Sequence, residues 1–477
     1  MIMDYEAVIG LEIHVQLNCR TKMFCRCSTR VGDEPNRNTC PICLWLPGYL
    51  PRFSRESLER AVLACLSLHC EIRKESAFDQ KVYYYPDLPK GYQLSQFHQP
   101  LALNGWLDIP CGDGAAKRIR IRKIHMEEDV AKLVHENEGR TPVSLVDFNR
   151  AGVPLVEIVT EPDIRSPREA MEFLRALRIQ LRYSESAECS MEQGTMRVDA
   201  NVSLRPRGSS ALNTKVEIKN MNSIRSVGDA VAYEIQRQET CLAAGEPIVL
   251  HTRLWDPDNG ATLPMREKFE GPCVPDPSVP RIVIEDAWLE DLKARLPEMP
   301  AGKTDRFVKQ YQLSREEASF LASERELSDY FEATAALGAS PRTCVQWISG
   351  QLLPLLKEGN IALTDCPAAP DRLAGLLGLL DREEINANAA KEVLRRMMTD
   401  PSPPERIVEE CGFRQVSAEG ELEALVDRVL AENPSAVENY RKGATKAMGF
   451  LMGRAMQASG GKANPRLLKE ILARKSA

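Results

Sequence analysis

From Val8 to Leu17 the chain reads VIGLEIHVQL, with Ile9, Leu11, Ile13, Val15 and Leu17 alternating with Gly10, Glu12, His14 and Gln16. A period of two marks a strand with one face in a core and the other exposed. Glu12 and His14 therefore share the exposed face, one pleat apart. Two later stretches repeat the pattern. Val198, Ala200, Val202 and Leu204 alternate with Asp199, Asn201, Ser203 and Arg205, and Val216 and Ile218 alternate with Lys215, Glu217 and Lys219. If the three strands share a sheet, its open face carries two Glu, one Asp, one His and several cations.

The remaining pattern predicts strands over 117–123, 145–149 and 155–160, and helices over 57–68, 166–183 and 228–244. Ser166 is placed as a helix N-cap with Pro167 at the first helical position. Residues 255–281, rich in Pro, Asp and Gly, read as a loop or boundary, and from about residue 285 onward the pattern turns helical. The DPSPP stretch, 400–404, reads as a linker. Strands and helices are interspersed without a steady βαβ rhythm, which predicts an α+β fold with a mixed or antiparallel sheet, followed by helical domains. The divisions expected are 1–292, 293–405 and 406–477.

A length of 477 residues exceeds one ordinary core. The N-terminus runs almost directly into the first strand, leaving no room for a targeting peptide, and no apolar run is long enough for a bilayer. A cytoplasmic protein without membrane association is expected. Net charge is −6, which excludes a surface coated in basic charge. Residues 441–477 depart from that average, with Arg441, Lys442, Lys446, Arg454, Lys462, Arg466, Lys469, Arg474 and Lys475 against Glu470 alone. Such a module fits a polyanion held by one part of the chain and processed by another. The same charges also fit a solvated helical surface.

Among fourteen cysteines, Cys25 and Cys27 form one close pair and Cys40 and Cys43 a second, with Gly, Pro and Asn between them. Two thiolate pairs suit tetrahedral zinc, and four cysteines leave no open ligand position, so the role is structural. Glu12, His14, Glu128, Asp199 and Glu217 together offer hard oxygen ligands and one imidazole, a set for Mg²⁺ or Mn²⁺ against nucleotide phosphates. Lys81, Lys215, Lys219 and Arg205 can complement phosphate oxygens. Salt-bridged residues of an ordinary polar face are the competing reading. AGKTD at 301–305 is not a phosphate loop, because Pro297 stands where the first Gly is needed. RGSSA at 207–211 is too short for an amidase signature.

VIGLEIHVQL, the CxC and CPIC pairs, YYYPDLPKGYQLSQF, HMEEDVAK, DFNRAGVPLVEIVTEPD, MEQGTMRVDANVSLRP and TKVEIKNMNS closely resemble the B subunits of the tRNA-dependent glutamyl/aspartyl amidotransferases. The resemblance continues through LEALVDRVLAENPSAVENYRKG and KAMGFLMGRAMQASGGKANPRLLKEIL. It implies a catalytic cradle similar to glutamine synthetase, a helical domain, and a small helical tail that holds tRNA. It also implies that ATP phosphorylates the side-chain carboxylate of Glu on tRNA(Gln), or of Asp on tRNA(Asn), and that ammonia displaces the phosphate. The ammonia would come from a partner amidase subunit, with a small third subunit bracing a heterotrimer. By motif, Glu12, His14, Glu128, Asp199 and Glu217 match the family's Mg²⁺ ligands, with Glu127 not separated from Glu128. Lys81 and Lys90 match lysines near the mouth of the ammonia passage.

One stretch departs from the family. After LPMREK the chain runs FEGPCVPDPSVP where the family carries a segment resembling DYRYFPEPDLP. The missing tyrosines and arginine motivate an alternative, a tRNA-binding scaffold that keeps the fold without phosphoryl transfer. The acids on three separate strands favour the enzyme, since a scaffold gains nothing from clustering like charges.

Overall fold

The computed structural model describes residues 4–111, 115–138, 141–265, 271–415, 419–441, 445–459, 463 and 465–476. The chain divides into two compact units, Met1–Pro300 and Ala301–Ala477. The first is built on a nine-stranded sheet whose centre is Tyr5–Gln16. Met196–Pro206, Val216–Lys219, Thr252–Asp256 and Ala261–Pro264 follow on one side; Pro154–Thr160, Ala116–Glu128, Ala102–Pro110 and Glu71–Ile72 follow on the other. All neighbours are antiparallel except Val216–Lys219 with Thr252–Asp256, which makes the sheet mixed. With the helices that follow, the fold is α+β, as the interspersed pattern predicts.

The alternation of the first strand does what its period requires. Ile9, Leu11, Ile13 and Val15 are buried in the core while Gly10, Glu12, His14 and Gln16 are half-buried on the other face. Helices Arg55–Ser67, Pro167–Tyr183 and Ile224–Ala243 supply Leu58, Phe173, Leu177, Val227 and Val231 to the same core. Ser166 caps its helix by accepting from the Glu169 amide at 3.2 Å, with Pro167 next to it as expected. The third helix begins earlier than its apolar residues indicate, because Ser223 caps it through the Ser226 amide at 3.0 Å. That helix crosses its neighbour closely: a Cβ on Gly228 would lie 2.6 Å from the Met171 sulfur.

Residues 255–281 do not form a boundary. Thr252–Asp256 and Ala261–Pro264 make the edge of the main sheet, and Cys273–Pro275 pairs with Asp79–Val82 in a small three-stranded sheet. Proline and glycine are tolerated at such edges, so their abundance does not exclude strands. Residues 266–270 of the departing segment lie outside the described residues.

The second unit holds two separate cores, one from Phe307 to Val408 and one from Leu422 to Leu472. Ile407 and Val408, in the helix Pro404–Glu410, pack in the first of these, so DPSPP is a turn inside one core and not a linker. Arg372 pins that turn, donating to the carbonyls of Pro367 at 2.8 Å, Met397 at 3.2 Å, Asp400 at 2.7 Å and Ser402 at 2.5 Å. Pro354 removes an amide donor, and the helices Pro341–Trp347 and Leu353–Glu358 are joined through a π-helical turn, Ile348–Leu352. Within AGKTD, Lys303 lies inside the helix Pro300–Tyr311 and is buried against Asp329 at 2.9 Å and Glu332 at 3.0 Å, so it serves packing and not phosphate. Among the described residues no helix is long and apolar enough to cross a membrane.

Replacing Arg372 by Met leaves several partly buried carbonyls without a donor. The expected cost is about 3 kcal/mol, read as a lower denaturant midpoint for the second unit, while the first unit's transition stays in place.

Candidate functional site

The site is written across five strands. Cross-strand pairing sets Glu12 opposite Asp199 and His14 opposite Glu157; Glu157 in turn faces His125, and Asn201 faces Glu217. Residues opposite each other in an antiparallel pair point to one side with their Cβ atoms about 5 Å apart. Two groups of ligand atoms result. His14, Glu127 and Glu157 form one, and Glu12, Asp199 and Glu217 the other, with the atoms of each group within 4.8 Å of one another.

In the first group the His14 Nε2 atom is 3.5 Å from Glu127 and 3.4 Å from Glu157. His125 donates from Nε2 to the same two carboxylates, at 3.2 Å and 3.1 Å. The Ser95 hydroxyl donates to Glu127 at 2.6 Å. Burial works against the charge on His14, but the two carboxylates outweigh it and lift the imidazole to about 10. His125 is raised by the same partners against its burial. Burial and the charge of Glu157 push Glu127 up, yet the two imidazoles win and hold it well below the carboxylate range. Glu157 is lowered for the same reason, also against burial. The two imidazoles thus face two buried carboxylates, each side favouring the other's charged form, and a divalent cation could take the place of protons held there.

In the second group Lys219 is ion-paired with Asp199 and lies 3.1 Å from Glu217. Three carboxylates and one ammonium sum to a formal −2, a charge matched by one divalent ion. Burial opposes the Lys219 charge, and the two acids raise its pKa nonetheless. Asn201 donates to Glu12 at 3.1 Å and Thr252 donates its hydroxyl to Glu217 at 2.8 Å, so both carboxylates are oriented. Beside Glu12 a cavity of about 250 Å³ is lined by Val8, Gly10, Arg122, Asn201, Ser203 and Lys215.

Of the residues proposed from sequence, Glu12, His14, Asp199 and Glu217 meet on the open face. Glu128 does not join them. Successive side chains alternate along a strand, so His125 and Glu127 share one side and Glu128 takes the other. There it is ion-paired with buried Lys90, whose ammonium lies 5.4 Å from the Trp45 and Tyr92 rings, and accepts from the Leu94 amide at 3.0 Å. Lys215 is exposed at the rim of the cavity, and Lys219 is already engaged with acids. Arg205 pairs with Glu6 at 2.7 Å, farther along the sheet. Lys81 sits in the separate three-stranded sheet, opposite Gln93 and Cys273. Sequence reasoning misses Glu157 and leaves Glu127 open. A signal for Glu157 exists: a carboxylate inside LVEIVT, an otherwise apolar buried run, needs a partner.

Cys25, Cys27, Cys40 and Cys43 converge, with all four sulfurs within 4.8 Å of one another. The hydrogen bond from Cys25 lowers Cys43 to about 5 against its burial, with help from the Lys22 ammonium. Cys27 is pushed up to about 12 by burial and its bond with Cys40. Four sulfurs so placed can hold tetrahedral zinc. In the C-terminal stretch Arg474 and Lys475 are ion-paired with Glu423 and Asp427, while Arg454, Arg466 and Lys469 are exposed. Lys442 and Lys462, and the side chains of Arg441 and Lys446, lie outside the described residues.

The family model described as the GatB/GatE catalytic domain matches residues 7–290, and the one described as the GatB domain matches residues 329–475. The chain is 62% identical over 473 residues to an aspartyl/glutamyl-tRNA(Asn/Gln) amidotransferase B subunit of Syntrophus aciditrophicus, covering 99% of each chain. The corresponding B subunit of Carboxydothermus hydrogenoformans is 47% identical, with 98% of each chain covered, and that of Geotalea uraniireducens is 46% identical, with 99% of each covered. With both units matched and relatives aligned nearly end to end, the chain belongs to the family of aspartyl/glutamyl-tRNA amidotransferase B subunits.

Proposed function

We propose that this chain is the phosphorylating and tRNA-holding subunit of an amidotransferase that corrects Glu-tRNA(Gln), Asp-tRNA(Asn) or both. One observation carries the reading: two ligand sets lie side by side on one open face, anchored by Glu12 and His14 on a single strand. Two residues along a strand span about 7 Å, so both sets can reach one polyphosphate. Mg²⁺ held by His14, Glu127 and Glu157, and by Glu12, Asp199 and Glu217, would neutralise charge on the ATP phosphates. The cavity beside Glu12 takes the nucleotide, with exposed Lys215 at its rim facing anionic oxygen.

In the first step an oxygen of the substrate's side-chain carboxylate attacks the γ-phosphorus, and the bond to the bridging oxygen of ADP breaks. Ammonia then attacks the carbonyl carbon of the acyl phosphate, the carbon–oxygen bond to phosphate breaks, and the nitrogen loses a proton. The acids serve by holding cations; no covalent nucleophile of this chain is needed. Ammonia comes from a partner amidase, with a small third subunit completing a heterotrimer. The resemblance sets Lys81 and Lys90 near the ammonia passage, and the buried Lys90–Glu128 pair suits that position better than phosphate binding. The four cysteines hold structural Zn²⁺. The exposed bases of the tail, Arg454, Arg466 and Lys469, suit tRNA phosphates.

Full-length chain assembled with its amidase and third subunit should convert Glu-tRNA(Gln) or Asp-tRNA(Asn) with ATP, Mg²⁺ and glutamine. Asp199→Asn and Glu157→Gln should each lower transamidation at least about a hundredfold and leave glutaminase turnover measurable; full activity in both would remove the phosphorylation site from this face. Because a histidine must be neutral to bind metal, Mg²⁺ affinity of the free protein should rise between pH 7 and pH 9, by up to about tenfold per unit for one proton released. Calorimetry in buffers of different ionisation heat reads that proton directly, and pH-independent binding rejects His14 as a ligand. Deleting residues 416–477 leaves the two preceding cores complete, so tRNA affinity should fall while the circular dichroism of the rest persists. Unchanged affinity would refute the tail's role.

A further inference from the structure

Lys22 is fully buried, and its ammonium donates to the Phe148 carbonyl at 3.0 Å and to the Cys43 sulfur at 3.6 Å. Among the described residues no carboxylate is paired with it. An ammonium removed from water without an anion is strongly disfavoured, so its presence here needs a negative partner, and the cysteine cluster supplies one. Four thiolates around Zn²⁺ sum to −2, and one fixed ammonium reduces that to −1. We propose that Lys22 is the built-in counter-cation of the four-cysteine metal site and the positioning residue that ties it to the turn entering the Pro154–Thr160 strand. The proposal rests on the reading of those cysteines as a zinc site.

The second half of the claim stands on backbone geometry. The Lys22 amide donates to the Cys27 carbonyl at 3.0 Å, and the next amide, Met23, donates to the Gly152 carbonyl at 2.8 Å. Gly152 has φ +85°, a left-handed conformation that favours glycine. A Cβ there would lie 3.5 Å from the Lys22 Cδ and 3.9 Å from the Cys43 Cβ, so the turn is laid directly over the lysine stem and the thiolate. From Gly152 the amide donates to the Asp129 carbonyl at 2.9 Å, and the Asp129 amide donates to the Val153 carbonyl at 2.8 Å. These bonds lead into the two strands that carry Glu157 and Glu127. A cavity of only about 10 Å³ separates Lys22 and Cys43 from Trp45, Lys90 and Glu128, so the metal knuckle and the buried ion pair share one wall.

The test uses the full chain as wild type, Lys22→Met and Lys22→Arg. Wild type should carry about one zinc per chain, and Lys22→Met should weaken zinc retention against a competing chelator on the order of 10–100-fold. Lys22→Arg, which keeps the charge, should recover most of that loss. The melting difference between wild type and Lys22→Met should be larger in the zinc-loaded than in the metal-free forms, because the bond to the Phe148 carbonyl is lost in both and the pairing with thiolates only in the first. Equal zinc affinity in Lys22→Met and wild type overturns the proposal. A wild-type chain purified without zinc overturns instead the reading of the cysteines. Should Lys22→Met fail to accumulate, acylation of wild-type Lys22 followed by mass spectrometry decides: protection that is lost on chelation supports the coupling, and equal labelling with and without zinc refutes it.

Discussion

The register of the first strand against its two neighbours is the constraint on which the rest depends. Ile9, Leu11, Ile13 and Val15 must face the core, and a slip of one residue would turn all four to the open side. Hydrophobic burial therefore decides which polar residues meet on the other face. Glu12 reaches Asp199, and His14 reaches Glu157, because their apolar neighbours are locked. Glu12 and Asp199 contribute nothing favourable to their own pairing, since like charges opposite one another destabilise a sheet. The core holds them together against their repulsion, which is the arrangement a cation site requires.

That repulsion is answered by cations already in the chain. His14 and His125 face Glu127 and Glu157, Lys219 sits among three carboxylates, and Lys22 faces the Cys43 sulfur. Each lies where a metal would otherwise be the only counter-charge, so the metal-free sheet can fold without a bare buried carboxylate pair. On the proposed reading, metal binding at the first group would exchange protons for a divalent ion, while at the second the ammonium would stay in place against a residual negative charge.

Much of this is legible in the sequence, because period two is a direct reading of which side chains share a face. It yields the open-face positions of Glu12, His14, Asp199 and Glu217, and the close cysteine pairs foretell their convergence. The same parity separates Glu127 from Glu128 once the strand is traced as one piece from Ala116 to Glu128. From sequence that strand reads as ending early, where apolar residues give way to HMEED. Glu157 is hidden for the opposite reason: its neighbours are so apolar that the strand reads as wholly buried. The strands within 255–281 and the turn at 400–404 escape a sequence reading because Pro and Gly mark both loops and the edges or corners of packed structure. Only long-range partners, such as Arg372 on four carbonyls, distinguish the two.

The loop between the cysteine pairs gives a reason for a zinc site to lie beside the proposed reaction centre. Asn36 donates its amide to Asp147 at 2.9 Å and its side-chain nitrogen to the Val146 carbonyl at 3.1 Å; the Phe148 amide returns a bond to Asn36 at 2.8 Å. Asn38 and Asn149 add another link at 2.7 Å, and Asn149 donates to the Glu34 carbonyl at 2.7 Å. Residues 33–38 are thus fastened to the turn just before the Pro154–Thr160 strand, and they belong to a loop too polar to hold its shape by hydrophobic burial. Phosphoryl transfer needs ligand atoms held to within about half an ångström. A tetrathiolate site would fix the loop at both ends, and through the turn it would limit the freedom of the strand that carries Glu157. Rigidity that the sheet cannot supply at its end would then come from the cysteines.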